Sequence, residues 1–351
     1  MSKSYESTKG RQWVFIATFV NYAIAVWSSK SYNLVKLQLM LAGLPHGSVM
    51  AMDSAFLFVK AVGSLIAGHS SDGKYSPVKI VGYGLIGSSI TIALLIFGVS
   101  TSIVTTPAVA SGYFLVIAVL FGAFQAPGIP VNTAMMGNWW PEKPNRGLLF
   151  GLWSSHQYIG EIAAAVASFC ILHSGLDYRW CLAVPAVLSV IWAYINFTQL
   201  PSAPEEVVVE TATSRITVDR NALPSIGIPE AILLPNVMLC TVALGLFDLV
   251  KYAMFFQLPV ILSFHYSPAS ANYITALFSV SNIPGGIICG WLSDLFGGHR
   301  ASVIAVFMGL LCPLLYIFAW NNDASAGHGS IMPISYNLML LAIMGCLVGG
   351  P

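Results

Sequence analysis

The sequence predicts an all-α polytopic membrane protein, and three observations carry that prediction. Hydrophobic residues make up 56% of the 351-residue chain and charged residues only 8%, with a mean hydropathy of +0.77. A soluble domain carries about 25% charged residues, so 15 basic and 14 acidic side chains could not cover a surface of this size. The apolar residues also fall into runs long enough to cross a hydrocarbon core of about 30 Å, which takes roughly 20 residues of helix. This composition excludes a cytosolic enzyme, a nucleic-acid binder and a disordered scaffold. The six cysteines all lie inside apolar runs without a CxxC pair, and read as small hydrophobes rather than a disulfide or zinc framework.

The elements follow in chain order. Residues 1–11 form a polar, basic amino terminus with no small-residue cleavage site after the first apolar run, so the first span is a retained helix and not a signal peptide. Spans are expected near 12–38, 47–70, 77–99, 112–137, 147–173 and 178–200, which together make a first six-helix bundle over 12–200. A segment rich in Pro, Ser, Thr and charge, 201–230, reads as a linker. Further spans near 231–264, 269–293 and 301–320, and an apolar start from about 335, make a partial second bundle over 231–351. With the amino terminus in the cytoplasm, ten loop Lys and Arg residues fall inside and only Lys36 and Arg179 outside, a strong positive-inside bias.

An internal repeat supports two related halves. GSLIAGHSSDGK at 63–74 recurs in pattern as GGIICGWLSDLF at 285–296. Gly63, Ile66, Gly68, Ser71 and Asp72 match Gly285, Ile288, Gly290, Ser293 and Asp294 at one offset of 222 residues. In each copy, glycines permit close helix packing and an aspartate at the helix end is left for a neighbouring cation, such as Arg300 after the second copy. Two copies in equivalent places indicate a duplicated six-helix unit. The same repeat sets Pro351 opposite Pro127 at an offset of 224, so the chain is expected to be a truncated form of a longer protein with two further apolar spans.

These residues resemble the major facilitator superfamily, whose cytoplasmic loop between the second and third helices has this pattern. More narrowly, the chain is similar to its organophosphate:phosphate antiporter branch, the sugar-phosphate exchanger and glycerol-3-phosphate transporter group. The stretches that carry the likeness are 52–72, 137–161, 282–300 and 345–351, with NRGLLFGLWSSH (145–156) the most specific. The resemblance implies the major facilitator fold, two six-helix bundles with the second cut in its tenth helix, rocking around a central cavity. Gly68, Asp72, Gly290, Asp294 and Arg300 would then form the conformational motif.

Charges inside the apolar runs are the candidate site. Lys60 lies near the middle of the second span, where an ammonium costs at least ~2.5–3.5 kcal/mol on insertion scales; it either lines a cavity or is neutralised by Glu161 or Asp53. The resembling family usually has a Tyr there. Lys251 falls where that family places a substrate-binding cation, usually Arg; the competing reading is an intrahelical pair with Asp248, three residues earlier. Subtracting the repeat offset from Lys251 gives Ser29, where the family has Arg-Lys and this chain reads Ser29-Lys30. Lys30 either takes over the missing charge or snorkels to the interface. His156 is a candidate to donate a hydrogen bond or take a proton, or else bonds a neighbouring helix. Glu161 is a salt-bridge partner of Lys60 or a proton carrier. Tyr22 and Tyr32 are weaker candidates for a cavity wall.

The resemblance implies a secondary transporter, not an enzyme, that exchanges an organophosphate for inorganic phosphate by alternating access. Its partners would be that anion, inorganic phosphate and membrane lipid, with no nucleic acid, no cofactor and no metal, and a monomer is expected. The location would be the endoplasmic reticulum membrane, the plasma membrane or another organelle. Two rivals stand beside it: a proton-coupled carrier of another anion or sugar, and a polytopic receptor or membrane enzyme. The repeat argues against a receptor, and the lack of HExxH, GxSxG and clustered His/Asp ligands argues against an enzyme.

Overall fold

The computed structural model describes residues 2–34, 36–41, 43–72, 75–100, 107–140, 146–200, 207–211, 214–218, 230, 232–235, 237–296, 300–322 and 334–349. Helices dominate: α1 (Ser2–Leu34), α2 (Lys36–Leu41), α3 (His46–Asp72), α4 (Pro77–Ser100), α5 (Pro107–Gln125), α6 (Gly128–Trp139), α7 (Arg146–Ser154), α8 (His156–His173) and α9 (Arg179–Gln199). After a short hairpin come α10 (Val237–Ser263), α11 (Pro268–Leu295), α12 (Arg300–Asn321) and α13 (Ile334–Gly349). Among the described residues, seven helices are long and apolar enough to cross a membrane, and α13 adds a shorter apolar one. Their outward faces carry bare Leu, Ile and Phe, such as Leu65, Phe97 and Leu249, as expected where lipid is the solvent.

Two of the expected spans are broken among the described residues, each for a local reason. The fourth is split between α5 and α6 at Ala126-Pro127, and Pro130 leaves the Ala126 carbonyl without a donor four residues on. The Ser64 hydroxyl donates to that carbonyl at 2.9 Å. The fifth is split at Ser155, where Ser154 and Ser155 hydroxyls donate back to the Phe150 and Leu152 carbonyls and compete with the backbone ladder. The segment read from sequence as a linker carries an antiparallel hairpin of β1 (Val207–Thr211) and β2 (Ser214–Val218), with Val207 opposite Val218.

Packing divides the chain into two compact units. The first holds residues 1–28, 38–146 and 182–242. Its helices α3 to α6 pack together, and Val14, Ala17, Val78, Met135, Trp139 and Leu200 form a core cluster. Three buried amides tie α1, α6 and α9: Asn196 donates to Asn21, and Asn21 donates to Asn132 at 3.1 Å. The second unit holds residues 29–37, 147–181 and 243–351. There α11 packs on α8, α12 and α13 around Leu258, Leu262, Phe278, Leu311, Leu341 and Met344.

The repeat is visible in how glycines pack. A Cβ on Gly122 of α5 would stand 2.7 Å from the Phe56 carbonyl oxygen of α3, and one on Gly345 of α13 would stand 2.7 Å from the Phe278 carbonyl of α11. Phe56 and Phe278 are 222 residues apart, Gly122 and Gly345 are 223 apart, so the same close approach is built twice. Gly63 and Gly285, paired by sequence, likewise face Ala126 and the Cys346 carbonyl. The next pair diverges: Gly68 meets Pro130, while a Cβ on Gly290 would enter open space. The side chains of Asp72, Asp294 and Arg300 lie outside the described set.

Candidate functional site

Five of the six charged or titratable candidates fall in the second unit: Lys30, His156, Glu161, Asp248 and Lys251. Lys60 belongs to the first unit, where it is half-buried with its ammonium 5.5 Å from the centre of the Phe56 ring. Among the described residues, Glu161 bonds two neutral side chains. Its Oε2 accepts the Ser279 hydroxyl at 2.8 Å, and its Oε1 accepts the Gln157 amide at 3.5 Å.

Lys30 is not a snorkelling residue. It is 1% exposed, and its Nζ donates to the Phe255 carbonyl oxygen at 3.0 Å while lying 4.4 Å from the centre of the Phe255 ring. The reason that this carbonyl is available stands four residues on. Pro259 lies inside α10 and has no N–H, so the helix cannot satisfy the Phe255 oxygen itself. A buried ammonium supplies the missing donor, and the aromatic face adds a cation–π contact.

Lys36 corrects the sequence reading. Counted there as an outside loop residue, it is fully buried, with Nζ 3.4 Å from the Phe256 carbonyl and over the Phe256 and Tyr32 rings at 4.7 and 5.3 Å. Two lysines six residues apart in the sequence therefore donate to the consecutive carbonyls of Phe255 and Phe256, one turn before Pro259.

Lys251 lies one turn before Phe255 on α10, half-buried. Its Nζ donates to Gln157 Oε1 at 3.0 Å. A continuous polar chain thus joins three helices: Lys251 of α10, Gln157 and Glu161 of α8, and Ser279 of α11. The order is chemically fixed, because a carboxylate only accepts and an ammonium only donates, so the Gln157 amide must turn its NH2 to one and its oxygen to the other. Glu161 is 5% exposed and close enough to act electrostatically on both Lys30 and Lys251, and Asp248 acts on Lys251.

His156 opens α8 just after the Ser155 break. It is 2% exposed, its Nδ1 is 3.0 Å from the Ser154 carbonyl, and its ring centre is 4.3 Å from that of Trp153. Lys251 is near enough for its charge to act on the imidazole. The Trp-Ser-Ser-His run singled out in the sequence is therefore the break between α7 and α8, with His156 as the first residue of α8. Tyr32 sits under Lys36, and Tyr22 packs in the first unit against Gly128.

The arrangement concentrates hydrogen-bond donors in an apolar interior. Neutral oxygens hold the ammonium groups of Lys30, Lys36 and Lys251, and the Glu161 carboxylate acts on Lys30 and Lys251. Such a site can receive an anion with little reorganisation, because each ammonium exchanges a neutral acceptor for a charged one. The residues the sequence missed are Lys36, Gln157 and Ser279.

Comparison with known proteins gives the family and the fold. The family model described as Major Facilitator Superfamily matches residues 14–350. The chain is 30% identical to a protein of Arabidopsis thaliana named "Putative glycerol-3-phosphate transporter 1", over 88% of this chain and 61% of that protein. It is 29% identical to sugar phosphate exchanger 3 of Gallus gallus, over 96% of this chain and 76% of that one. Thus the chain spans about three fifths of the former's length and three quarters of the latter's. Among solved structures, the fold is similar to that of a bacterial homologue of the human lysosomal transporter Spinster in an inward-facing, unoccupied conformation. The TM-score is 0.67 at 14% identity, covering 97% of this chain and 73% of that one. The nucleoside transporter NupG gives a TM-score of 0.65 at 15% identity, covering 97% and 80%.

Proposed function

The chain belongs to the Major Facilitator Superfamily and is an integral, multi-pass membrane protein; from that premise we propose that it is a secondary transporter, not an enzyme, exchanging an organophosphate for inorganic phosphate by alternating access. The substrate class is a sugar phosphate or glycerol phosphate, in keeping with the names of its relatives. The observation that carries this reading is the pair of ammonium groups on Lys30 and Lys251, held inside the protein by neutral oxygens of Phe255 and Gln157. A phosphoryl group is a stronger acceptor than either, so it draws both lysines and repays part of its own desolvation. His156 is placed to donate a third hydrogen bond.

Exchange follows from charge: a cationic cavity is costly to close empty, so closure is favoured only with an anion bound. The sequence halves 12–200 and 231–351 would be the two bundles that rock, with the amino terminus and the linker in the cytoplasm. An intracellular membrane such as the endoplasmic reticulum is the proposed location. The test is radiolabelled phosphate counterflow in proteoliposomes against a panel of sugar phosphates. Trans-stimulation by organophosphates supports the reading, and none with any of them sinks it.

One observation favours a second reading. Glu161 is a buried carboxylate between α8 and α11, a suitable place for a coupling proton. Uptake driven by a pH gradient without internal phosphate, lost in Glu161→Gln, would favour proton coupling over exchange.

A further inference from the structure

Beside the Lys30 site, α1, α10 and α11 line a small pocket with no charge in it. Asn33 of α1, Pro259, Val260 and Ser263 of α10, and Asn272 of α11 are among its lining, around about 230 Å³ of space open on one side. Its closed part fits a group of roughly hydroxyl or water size. Asn33 is 1% exposed and Asn272 2%, and both carry polar atoms that no group among the described residues answers: Nδ2 and Oδ1 of Asn33, and Nδ2 of Asn272. Buried amide groups are nearly always hydrogen-bonded, and leaving one unmade costs about 1–3 kcal/mol. Ser263 spends its proton on the Val260 carbonyl at 2.7 Å, which leaves its oxygen as an acceptor.

The unanswered groups define the ligand. They offer amide donors from two helices and acceptors from Asn33 and Ser263, and a hydroxyl, one donor and two lone pairs, matches that set. A phosphoryl or carboxylate group would meet two acceptors and no cation. The position is equally informative. Asn33 follows Lys30 by three residues on α1, and Pro259 follows Phe255, the partner of Lys30, by four on α10. The lining of the neutral pocket therefore begins about one helical turn from Lys30 on α1 and from its partner Phe255 on α10.

We propose that Asn33 and Asn272 form a hydroxyl subsite next to the Lys30 cation, which selects phosphate esters of small polyols over phosphate esters without a distal hydroxyl. This rests on the organophosphate reading above. It assigns the two ends of one substrate to two parts of one unit: the phosphoryl to the lysines, the hydroxyl to the asparagines.

The test is competition against radiolabelled inorganic phosphate bound to the purified full chain in lipid nanodiscs. Two competitors serve, glycerol 3-phosphate and n-propyl phosphate, which share the ester and differ in hydroxyls. Wild type should prefer glycerol 3-phosphate. Asn33→Leu and Asn272→Leu, made separately, should each lower that preference about tenfold, while inorganic phosphate affinity stays within about twofold and so reports an intact fold. An unchanged preference in both variants overturns the subsite and leaves a pocket that holds only water. A fall in affinity for all three anions together overturns it as well, because the asparagines would then support the fold or the cations. A wild type that binds none of the anions fails earlier and removes the organophosphate reading itself.

Discussion

Lys251 and Lys30 sit on one helix–helix system yet differ in what holds them, and that difference sets what each substitution does. Lys251 Nζ meets a side-chain amide that can rotate away, whereas Lys30 meets a fixed backbone carbonyl. Lys251 is thus the more readily released to an anion. Lys251→Ala should abolish phosphate exchange at equal membrane expression, and Lys251→Arg should retain part of it, since charge is kept while the compact ammonium geometry is lost. Proteoliposome exchange rates check both, and unimpaired exchange by Lys251→Ala would refute the role. The charged members of this site were legible because an ionisable group in an apolar run is costly and so conspicuous. Gln157 and Ser279 were not, since neutral polar residues are ordinary in such helices and only the fold brings them to Glu161 and Lys251. Lys36 misled because it stands where a span of ordinary length ends; its burial depends on the Phe256 carbonyl, a backbone group that no sequence pattern of side chains displays.

That carbonyl does have an indirect signature, and it belongs to the helix. A proline inside an apolar run frees the oxygen four residues before it, so Pro259 points to Phe255 as Pro130 points to Ala126. In one case the fold answers with the Lys30 ammonium, in the other with the Ser64 hydroxyl. Pro259→Ala should restore a backbone donor to Phe255, gaining about 1 kcal/mol, while making Lys30 share a charged hydrogen bond that contributes about 1.5–3 kcal/mol. The expected result is net destabilisation of about 1 kcal/mol. The same change placed on Lys30→Met should instead stabilise, because the restored N–H then fills an acceptor the lysine no longer serves. A double-mutant cycle on thermal unfolding measures this coupling, and additive effects would show that the lysine and the proline act independently. Helix packing allows a second check. Gly122→Ala and Gly345→Ala drive a methyl group into equivalent carbonyls of α3 and α11, so each should cost about 1–3 kcal/mol, and by similar amounts. Markedly unequal losses would mean that the two halves no longer share their packing. The apolar runs made these helices legible in type and approximate extent. Their breaks at Ala126 and Ser155 were not, because continuous hydropathy hides a carbonyl bonded by Ser155 or withheld from by Pro130.

At the scale of the molecule, the order of helices fixes a parity that no single residue shows. Between the amino terminus and the hairpin Val207–Val218 lie α1, α3, α4, the α5–α6 pair, the α7–α8 pair and α9. If each is one crossing, six crossings separate the two segments, and an even number returns the chain to the side where it began. The short α2 does not change the count, since six residues rise only about 9 Å. Nor do the breaks at Ala126-Pro127 and Ser155, which interrupt hydrogen bonding without turning the chain back. Parity says only that both segments share a side; charge says which. Lys3, Lys9 and Arg11 precede the first apolar run, and Arg215 and Arg220 lie in the linker, so both segments carry the basic residues that membrane insertion retains in the cytoplasm. The two arguments are independent, one counting helices and one counting charge, and they agree. A peptide tag placed at the amino terminus and another within 205–220 should therefore both be cut by protease added to the cytoplasmic face of sealed vesicles, and both be protected when it is added to the opposite face. Opposite behaviour of the two tags would mean that one of the six helical segments does not cross. Shared behaviour on the wrong face would keep the parity and overturn the charge argument alone.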